Sequence, residues 1–458
     1  MPTDADDALR SRLAAAFPVG VVSCDPVDRV LLGTDGSKIR GDAFAVVKPT
    51  DEDHVRTAIL FAGANGLSVV PRGAGTSPTG SATARRRQIV LDFSRMNRIL
   101  DVSPRDMVAV VEPGVMCGEL QSRAEAVGMF YPPDPASART STLGGNVATC
   151  AGGLRAAKYG VTRDYVLGLR CVGADGRVFE TGGRSLKSVV GYDLTRLLTG
   201  SEGTLAVFTR LTLRLLPKPP HAATLLAEFA DDEGGFSAAD AILAAGVLPR
   251  ALEYMDRDVL GIVAGDPTPR SGSSLLIEVD GSPADCRDQA ERVAAAVRSI
   301  GALSVRIADA GDDRDALWAA RRSISSAVYR VFGAKRSEDL GVPRGRLAEA
   351  VAAIKAASRA CGARCVVYGH AGDANLHFNF PYDPTVDGAK SAVDAAVDAA
   401  MAVALRFGGT VSGEHGIGLK KIDQVRRETD ARALELMQHV KRAFDPAGIL
   451  NPGKAIPE

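Results

Sequence analysis

Hydrophobic and polar positions repeat with two different periods along the chain, and their order predicts a mixed α and β protein. Apolar runs at 43–47 and 67–71 predict strands, and the apolar spacing over 51–63, with Thr50 as N-cap, predicts an amphipathic helix between them. The same alternation predicts further strands over 88–92, 107–112, 166–173, 178–180 and 211–216.

The segment Pro217–Pro220 marks the clearest boundary, because these residues continue neither a helix nor a central strand. Beyond it, strand patterns alternate with long helical patterns, notably over 283–300 and 347–360. This rhythm predicts an α+β layer whose sheet is antiparallel. The strand patterns lie at 225–229, 274–279, 303–307, 365–368 and 376–380.

Composition narrows the class of protein. A chain of 458 residues exceeds what one hydrophobic core supports, so we expect two or three domains. Basic and acidic side chains number 55 each, which argues against a nucleic-acid partner. An acidic N-terminus and the lack of an apolar run of about 20 residues predict a cytoplasmic protein, with peripheral membrane association left open. Seven cysteines without Cys-x-x-Cys spacing argue against a disulfide framework or an iron–sulfur site.

Two clusters of small residues are candidates for binding a cofactor. The first, 72–81, is not a dinucleotide-binding turn, because it leads into a strand rather than opening a helix. Its backbone N–H groups can nevertheless cradle a diphosphate, and a long surface loop is the alternative. The second, 140–153, flanks a short apolar segment and suits contact with a flat or phosphorylated ligand better than a core.

Three of the six histidines fall between residues 370 and 415. His370 follows one apolar strand pattern and His377 opens another, so a turn between them would bring both imidazoles to one point. With Glu414 they form a set of two imidazoles and one carboxylate, which is typical of a divalent metal site. Zinc is favoured, with iron or manganese as alternatives. The competing interpretation is that these are ordinary hydrogen-bonded loop histidines.

Several motifs in one fixed order resemble a single flavoprotein family. They are the glycine-rich loop at 72–81, Leu-Gly-Gly-Asn-Val-Ala-Thr at 143–149, Gly-Tyr-Asp-Leu at 191–194, Gly-Ser-Glu-Gly-Thr-Leu at 200–205 and Gly-His-Ala-Gly-Asp-Ala-Asn-Leu-His at 369–377. From about residue 44 to residue 457 the chain resembles the FAD-linked D-2-hydroxyacid dehydrogenases of the vanillyl-alcohol oxidase type. These include D-lactate dehydrogenase, the glycolate oxidase flavin subunit and D-2-hydroxyglutarate dehydrogenase.

The resemblance implies an α+β protein with the two-domain FAD-binding fold of that type. Its parts would be an FAD-binding domain (1–218), a substrate or cap domain (219–425) that carries the metal site on an antiparallel sheet, and a C-terminal segment (426–458) that returns to the FAD domain. Relatives with covalent flavin carry a histidine in the first loop, where this chain has Ala74, so we expect noncovalent FAD. The implied FAD contacts are Arg72, Gly73, Ala74, Gly75, Thr76, Ser77, Gly80, Ser81, Pro133, Thr142, Gly144, Gly145, Thr149, Gly152, Gly153, Tyr159, Val161, Glu202, Val207 and Asn451.

The reaction of such an enzyme assigns further roles. A 2-hydroxy acid must lose its hydroxyl proton, and His415 is the predicted base because histidine titrates near neutral pH. Arg321 is the predicted ligand of the substrate carboxylate and a catalytic residue, although an arginine on a helix is more often solvated. Ser325, Asn379 and His415 complete the predicted substrate contacts.

A second substrate carboxylate would need another cation, for which Lys335 or Arg336 is the candidate. Glutarate-specific relatives carry Lys-x-Asp at this place, and residues 337–343 depart from it. The sequence therefore predicts oxidation of a small D-2-hydroxy acid, with D-lactate ahead of glycolate and D-2-hydroxyglutarate. An electron-transfer flavoprotein, a cytochrome or a quinone would accept the electrons, and a homodimer is left open. A flavin-dependent alkyl transferase and a noncatalytic FAD-binding module are the alternatives from other classes.

Overall fold

The computed structural model describes residues 4–266, 268–308 and 311–457. The chain forms two compact units, and neither is continuous in sequence. Unit 1 comprises Met1–Ala151, Val161–Lys218 and His415–Glu458, and unit 2 comprises Gly152–Gly160 and Pro219–Glu414. Among the described residues, no helix combines the length and the apolar character needed to cross a bilayer.

The part of the chain before residue 218 folds mainly into three sheets. Its strands are β1 (Val22–Ser23), β2 (Ala45–Val47), β3 (Ser68–Arg72), β4 (Gln88–Asp92), β5 (Ile99–Ser103), β6 (Val108–Val111), β7 (Met129–Phe130), β8 (Val166–Val172), β9 (Val178–Gly182), β10 (Val207–Arg214) and β11 (Leu216–Pro217). Their orders are β1-β2-β4-β3, β5-β6-β10-β8-β9 and β11-β7. Strand β4 pairs in parallel with β2 and β3, and the second sheet is antiparallel.

Helices in this part of the chain are short. They are α1 (Asp4–Ala15), α2 (Pro26–Leu31), α3 (Glu52–Ala64), α4 (Cys117–Glu125), α5 (Leu143–Thr149), α6 (Ala156–Tyr159) and α7 (Leu194–Leu198). Helix α3 begins one residue later than predicted, because Asp51 rather than Thr50 caps it by accepting a hydrogen bond from the His54 amide at 3.0 Å. It buries Val55, Ile59 and Ala62 in the core beside β2 and β3.

Unit 2 is built on one antiparallel sheet with helices on both faces. Its strands are β12 (His221–Phe229), β13 (Ala251–Asp256), β14 (Ser273–Gly281), β15 (Ser304–Ala308), β16 (Ala334–Gly341), β17 (Val366–His370) and β18 (Asn375–Tyr382). They lie in the order β15-β12-β14-β13-β17-β18-β16. Its helices after residue 219 are α8 (Asp232–Ala244), α9 (Arg257–Val263), α10 (Pro283–Ser299), α11 (Asp312–Phe332), α12 (Leu347–Ala360) and α13 (Ala389–Arg406).

Alternate residues of each strand serve the two faces of this sheet. On β13, Leu252 and Tyr254 pack with α8, α10, α12 and α13, whereas Ala251 and Met255 pack with α9 and α11. The period of two therefore places Glu253 on the α9 and α11 face. The same alternation places His370 of β17 and His377 of β18 on that face.

The chain re-enters unit 1 at His415, eleven residues before the predicted position at 426. Helices α14 (Ile422–Glu428) and α15 (Ala431–Phe444) follow. The early return has a local cause. The amides of Ile417 and Gly418 donate hydrogen bonds to the buried Glu202 carboxylate at 2.7 and 2.9 Å, which fixes this segment to unit 1.

Candidate active site

A groove in unit 1 is formed where small residues let backbone segments approach closely. Thr142 caps α5 by accepting a hydrogen bond from the Gly145 amide at 3.3 Å. A Cβ atom on Gly73 would lie 2.1 Å from Thr142 Oγ1, and one on Gly144 would lie 2.5 Å from Pro113 Cβ. Only glycine fits at these two positions. The pocket is lined in part by Arg72, Gly73, Gly144, Gly145, Ala148 and Gly203.

The residues of unit 1 fit a large polar cofactor. Four of the predicted contacts, Arg72, Gly73, Gly144 and Gly145, line the groove. Unit 1 also contains buried polar atoms that lack a hydrogen-bond partner within the protein, a costly state that a bound ligand can relieve. They are Tyr131 Oη, Ser141 Oγ, Asn146 Nδ2, Ser201 Oγ and Arg214 Nε.

Other predicted FAD contacts have partners in the protein. Ser81 Oγ donates to Glu202 Oε2 at 2.6 Å, and Asn451 Nδ2 donates to the carbonyl oxygens of Ser81 and Glu202. Burial raises the pKa of the Glu202 carboxyl, against the effect of its donors Ser81, Ile417 and Gly418. Val207 packs in the core of unit 1. The contact of these four residues with FAD stays a prediction.

The remaining predicted FAD contacts divide between the units. Gly152, Gly153 and Tyr159 belong to unit 2, where Tyr159 Oη donates to Asp280 Oδ2 at 2.7 Å. The others lie in unit 1, namely Ala74, Gly75, Thr76, Ser77, Gly80, Pro133, Thr142, Thr149 and Val161.

In unit 2, the β17–β18 hairpin brings His370 and His377 together. His370 ends β17, and His377 stands opposite Tyr368 in the antiparallel register. The turn needs a left-handed residue at Ala374, whose φ is 61° and where a glycine would be unstrained. His370 Nε2 and His377 Nε2 lie 3.6 and 3.5 Å from Glu414 Oε1.

These separations suit a metal ion better than hydrogen bonds. Ligand atoms of the three residues all lie within 4.8 Å of one another. The two distances to Glu414 Oε1, 3.6 and 3.5 Å, exceed the ~2.7–3.2 Å of an N–H···O hydrogen bond. Tetrahedral zinc with bonds of about 2.1 Å would space its ligands by roughly 3.4 Å. The donor set of two imidazoles and one carboxylate, with the observed spacing, therefore fits a divalent cation.

Glu253 holds His370 in place and was not among the predicted site residues. It is fully buried on β13, with Oε1 2.6 Å from His370 Nδ1, so that Nδ1–H donates and Nε2 is left for the candidate metal site. Its second oxygen accepts from Arg321 Nε at 2.8 Å. Burial opposes the charge of Glu253, but His370 and Arg321 outweigh burial and lower its pKa to about 2. Burial likewise opposes the imidazolium, yet Glu253 raises the pKa of His370 well above its usual value in the metal-free protein.

Asp339 positions the third candidate ligand. It is fully buried on β16, and its Oδ2 accepts a hydrogen bond from the Glu414 amide at 2.7 Å. The Ser412 hydroxyl donates to the same oxygen at 3.3 Å. A buried carboxylate with these donors fixes the loop that carries Glu414.

The predicted substrate residues converge only in part. Lys335 Nζ donates to Ser325 Oγ at 2.8 Å and to Asn379 Oδ1 at 3.0 Å. Arg321 is committed along one edge to Glu253, and its guanidinium lies 4.8 Å from the centre of the Tyr368 ring. Of the two cations considered for a second carboxylate, Lys335 therefore joins the predicted substrate residues.

Arg336 points elsewhere and bonds to Asp394 at 2.7 Å and Glu338 at 3.1 Å. The last candidate, His415, belongs to unit 1, where its carbonyl oxygen accepts from Thr79 Oγ1 at 3.2 Å. Unit 1 thus begins again immediately after the candidate ligand Glu414.

Comparison with known proteins defines the family. The family described as FAD linked oxidases, C-terminal domain, matches residues 218–455, and the FAD binding domain matches residues 43–182. The glycolate oxidase subunit GlcD of Bacillus subtilis is 38% identical over 90% of this chain and 88% of its own. A D-lactate dehydrogenase of Archaeoglobus fulgidus is 36% identical over 90% of this chain and 91% of its own.

A solved structure of p-cresol methylhydroxylase with substrate bound shares the fold, with a TM-score of 0.83 at 18% identity, covering 99% of this chain and 98% of that one. The fold is that of the vanillyl-alcohol oxidase type flavoproteins, which confirms the predicted fold class. The chain belongs to the FAD-linked oxidases and is an FAD-dependent oxidoreductase of the lactate and glycolate oxidase type.

Proposed function

We propose that this protein oxidises a small D-2-hydroxy acid, with D-lactate favoured, to the 2-oxo acid. The observation that carries the proposal is the convergence of His370, His377 and Glu414 within 4.8 Å on the sheet of unit 2. An alkyl transferase or a noncatalytic FAD-binding module would give no reason for this donor set.

Different residues of the chain would have separate roles in this oxidation. His370, His377 and Glu414 would hold a divalent cation, zinc in preference to iron or manganese. Such an ion would lower the pKa of the substrate hydroxyl. His415 would take the hydroxyl proton as general base. Bound FAD would accept the hydride from the same carbon.

Lys335 supports the binding of the substrate carboxylate. Its ammonium lies between Ser325 and Asn379 at hydrogen-bond distance from both. Arg321 offers a second positive charge on the same face, although Glu253 already accepts two of its donors. A monocarboxylate would need no further cation, and Arg336 is occupied by acidic partners. The departure of residues 337–343 from the Lys-x-Asp of glutarate-specific relatives supports D-lactate over D-2-hydroxyglutarate.

Glycolate is the second candidate, because a relative that is 38% identical is a glycolate oxidase subunit. The electrons would then leave the reduced flavin for an electron-transfer flavoprotein, a cytochrome or a quinone.

The substrate can be tested by anaerobic mixing of the yellow holoprotein with D-lactate, L-lactate, glycolate, D-malate and D-2-hydroxyglutarate. We expect D-lactate to bleach the flavin absorbance fastest and L-lactate to leave it oxidised. Bleaching by glycolate alone would replace D-lactate with the second candidate. A flavin that stays oxidised with all five acids would refute the proposal. Acid precipitation of the protein tests dissociable FAD, which should remain in the supernatant.

The metal can be tested separately from turnover. Elemental analysis of the purified protein should find about one divalent ion per chain, and His377→Ala should lose both the ion and activity. The matched control is His439→Ala, an exposed histidine on α15, which should retain both. Full turnover in a metal-free His377→Ala protein would exclude the metal-assisted reaction.

A further inference from the structure

The C-terminal segment 449–454 is tied to the strand that leads into the flavin groove. The Val69 amide donates to the Ile449 carbonyl, and the Asn451 amide donates to the Val69 carbonyl, both at 2.8 Å. Val69 lies in β3, and β3 ends at Arg72, where the glycine-rich loop of the groove begins. The tail therefore adds a short length of chain to the edge of β3.

Asn451 joins two loops that border the groove. Its Nδ2 donates to the Ser81 carbonyl at 2.9 Å, at the end of the loop 72–81, and to the Glu202 carbonyl at 2.7 Å, next to Gly203 of the pocket wall. The side-chain oxygen of Asn451 accepts from Lys454 Nζ at 2.6 Å. Because an ammonium only donates, Lys454 fixes which end of the Asn451 amide faces the two carbonyls.

Lys454 is an unusual buried cation. Only 2% of it is exposed, and its Nζ donates to the Thr83 carbonyl at 2.6 Å and to Asn451 Oδ1. Both acceptors are uncharged. Taking an ammonium out of water without a partner charge is costly.

Some charged groups around Lys454 raise its pKa and others lower it. Burial lowers the pKa of Lys454 to about 7, which outweighs the opposite effect of Asp35 and Glu202, and Arg85 lowers the pKa further. The ammonium therefore loses its proton near neutral pH unless another negative charge enters the site. The diphosphate predicted along 72–81 is such a charge.

We propose that Lys454 couples the binding of FAD to the uptake of a proton. The charged ammonium orders Asn451 and, through it, the two loops that border the groove, while the anionic cofactor stabilises the charged ammonium. The proton comes from solvent, and Lys454 acts as a positioning residue. The proposal takes from the proposed function only the dissociable state of FAD, which acid precipitation tests on its own.

The sign of the effect follows from linkage. Binding an anion raises the pKa of a nearby ammonium, so FAD binds more tightly to the protonated protein. Affinity should be constant below about pH 7 and should fall as pH rises above that value. Wild-type holoprotein is equilibrated from pH 6 to 9, and free FAD is collected by ultrafiltration and quantified. We expect the dissociation constant to rise about tenfold or more over this range.

Lys454→Met removes the donor and keeps the length of the side chain. Its dissociation constant should be independent of pH and should be no lower than that of the wild type at pH 9. The control is Lys218→Met, the same substitution at a half-exposed lysine of unit 1, which should keep the wild-type profile. Lys454→Gln, which retains a donor without charge, serves if the methionine variant fails to fold, and it should also be independent of pH.

Two results would overturn the proposal. One is a flat dissociation constant for the wild type between pH 6 and 9, which needs no variant. The other is a wild-type pH profile in Lys454→Met or Lys454→Gln. A merely structural role would weaken FAD binding equally at every pH.

Discussion

Replacing Glu253 by Gln removes the negative charge between His370 and Arg321 and keeps the shape of the side chain. In the wild type, one oxygen accepts from His370 Nδ1 and the other from Arg321 Nε. A glutamine has one acceptor and one donor end, so one of the two cationic donors must face an N–H group. The arginine is then buried without a counter-charge.

The size of the effect follows from the pKa of Glu253. Its lowering from 4.5 to about 2 corresponds to about 3 kcal/mol, at about 1.36 kcal/mol per pKa unit. Breaking a buried ion pair typically costs ~3–5 kcal/mol. We therefore expect Glu253→Gln to lose about 3 kcal/mol of unfolding free energy in the metal-free protein. Loss of the group that orients His370 should also weaken metal binding about 10- to 100-fold.

Urea denaturation in the presence of a chelator measures the first effect, and competition with a chromophoric chelator measures the second. Glu228→Gln is the matched control, because Glu228 lies on the same sheet and pairs with Arg257 at 2.7 Å, but is partly exposed. It should cost at most about 1 kcal/mol and leave metal affinity unchanged. Metal affinity within twofold of the wild type in a folded Glu253→Gln protein would refute the positioning role.

Three further predictions concern substrate, turn and pH. Lys335→Met should raise KM for the hydroxy acid about tenfold or more, by loss of a charged hydrogen bond. The control Arg336→Met should change KM less than twofold. Equal effects in steady-state kinetics would contradict the assignment of Lys335 to the substrate carboxylate. Ala374→Gly should relieve a left-handed alanine and raise the free energy of unfolding by up to about 1 kcal/mol in urea, and a loss would show that the turn is unstrained. Because the pKa of Glu253 is lowered, the stabilisation it provides is present above about pH 4 and is lost as pH falls towards 2. Metal-free wild type should therefore lose unfolding free energy more steeply than Glu253→Gln between pH 5 and 2. Parallel acid titrations of the two proteins would contradict this.

The sequence predicts the scaffold of unit 2 where strands carry continuous or alternating apolar residues. Strands β17 and β18 follow from such runs, and so does the approach of His370 to His377. The sequence does not predict strands β13 and β16, because acidic and basic residues interrupt their apolar patterns. Among these charged residues, Glu253 and Asp339 are fully buried, and they position His370 and Glu414.

Pairing across the sheet is the reason these residues could not be found from sequence. Glu253 stands opposite His370 in the register of β13 and β17, 117 residues away along the chain. Spacing within one segment carries no information about such a partner. The position of Lys335 beside Asn379 depends in the same way on the pairing of β16 with β18.

The division of the chain has a consequence for engineering a new substrate preference. Unit 2 contains the segment 152–160, which includes α6, as well as residues 219–414. Tyr159 and Lys158 of this segment bind Asp280. A chimera that exchanges only the continuous stretch after Pro219 would separate these partners. Recombination with a relative therefore needs four crossovers, at 151/152, 160/161, 218/219 and 414/415, the last of them at the peptide bond after Glu414.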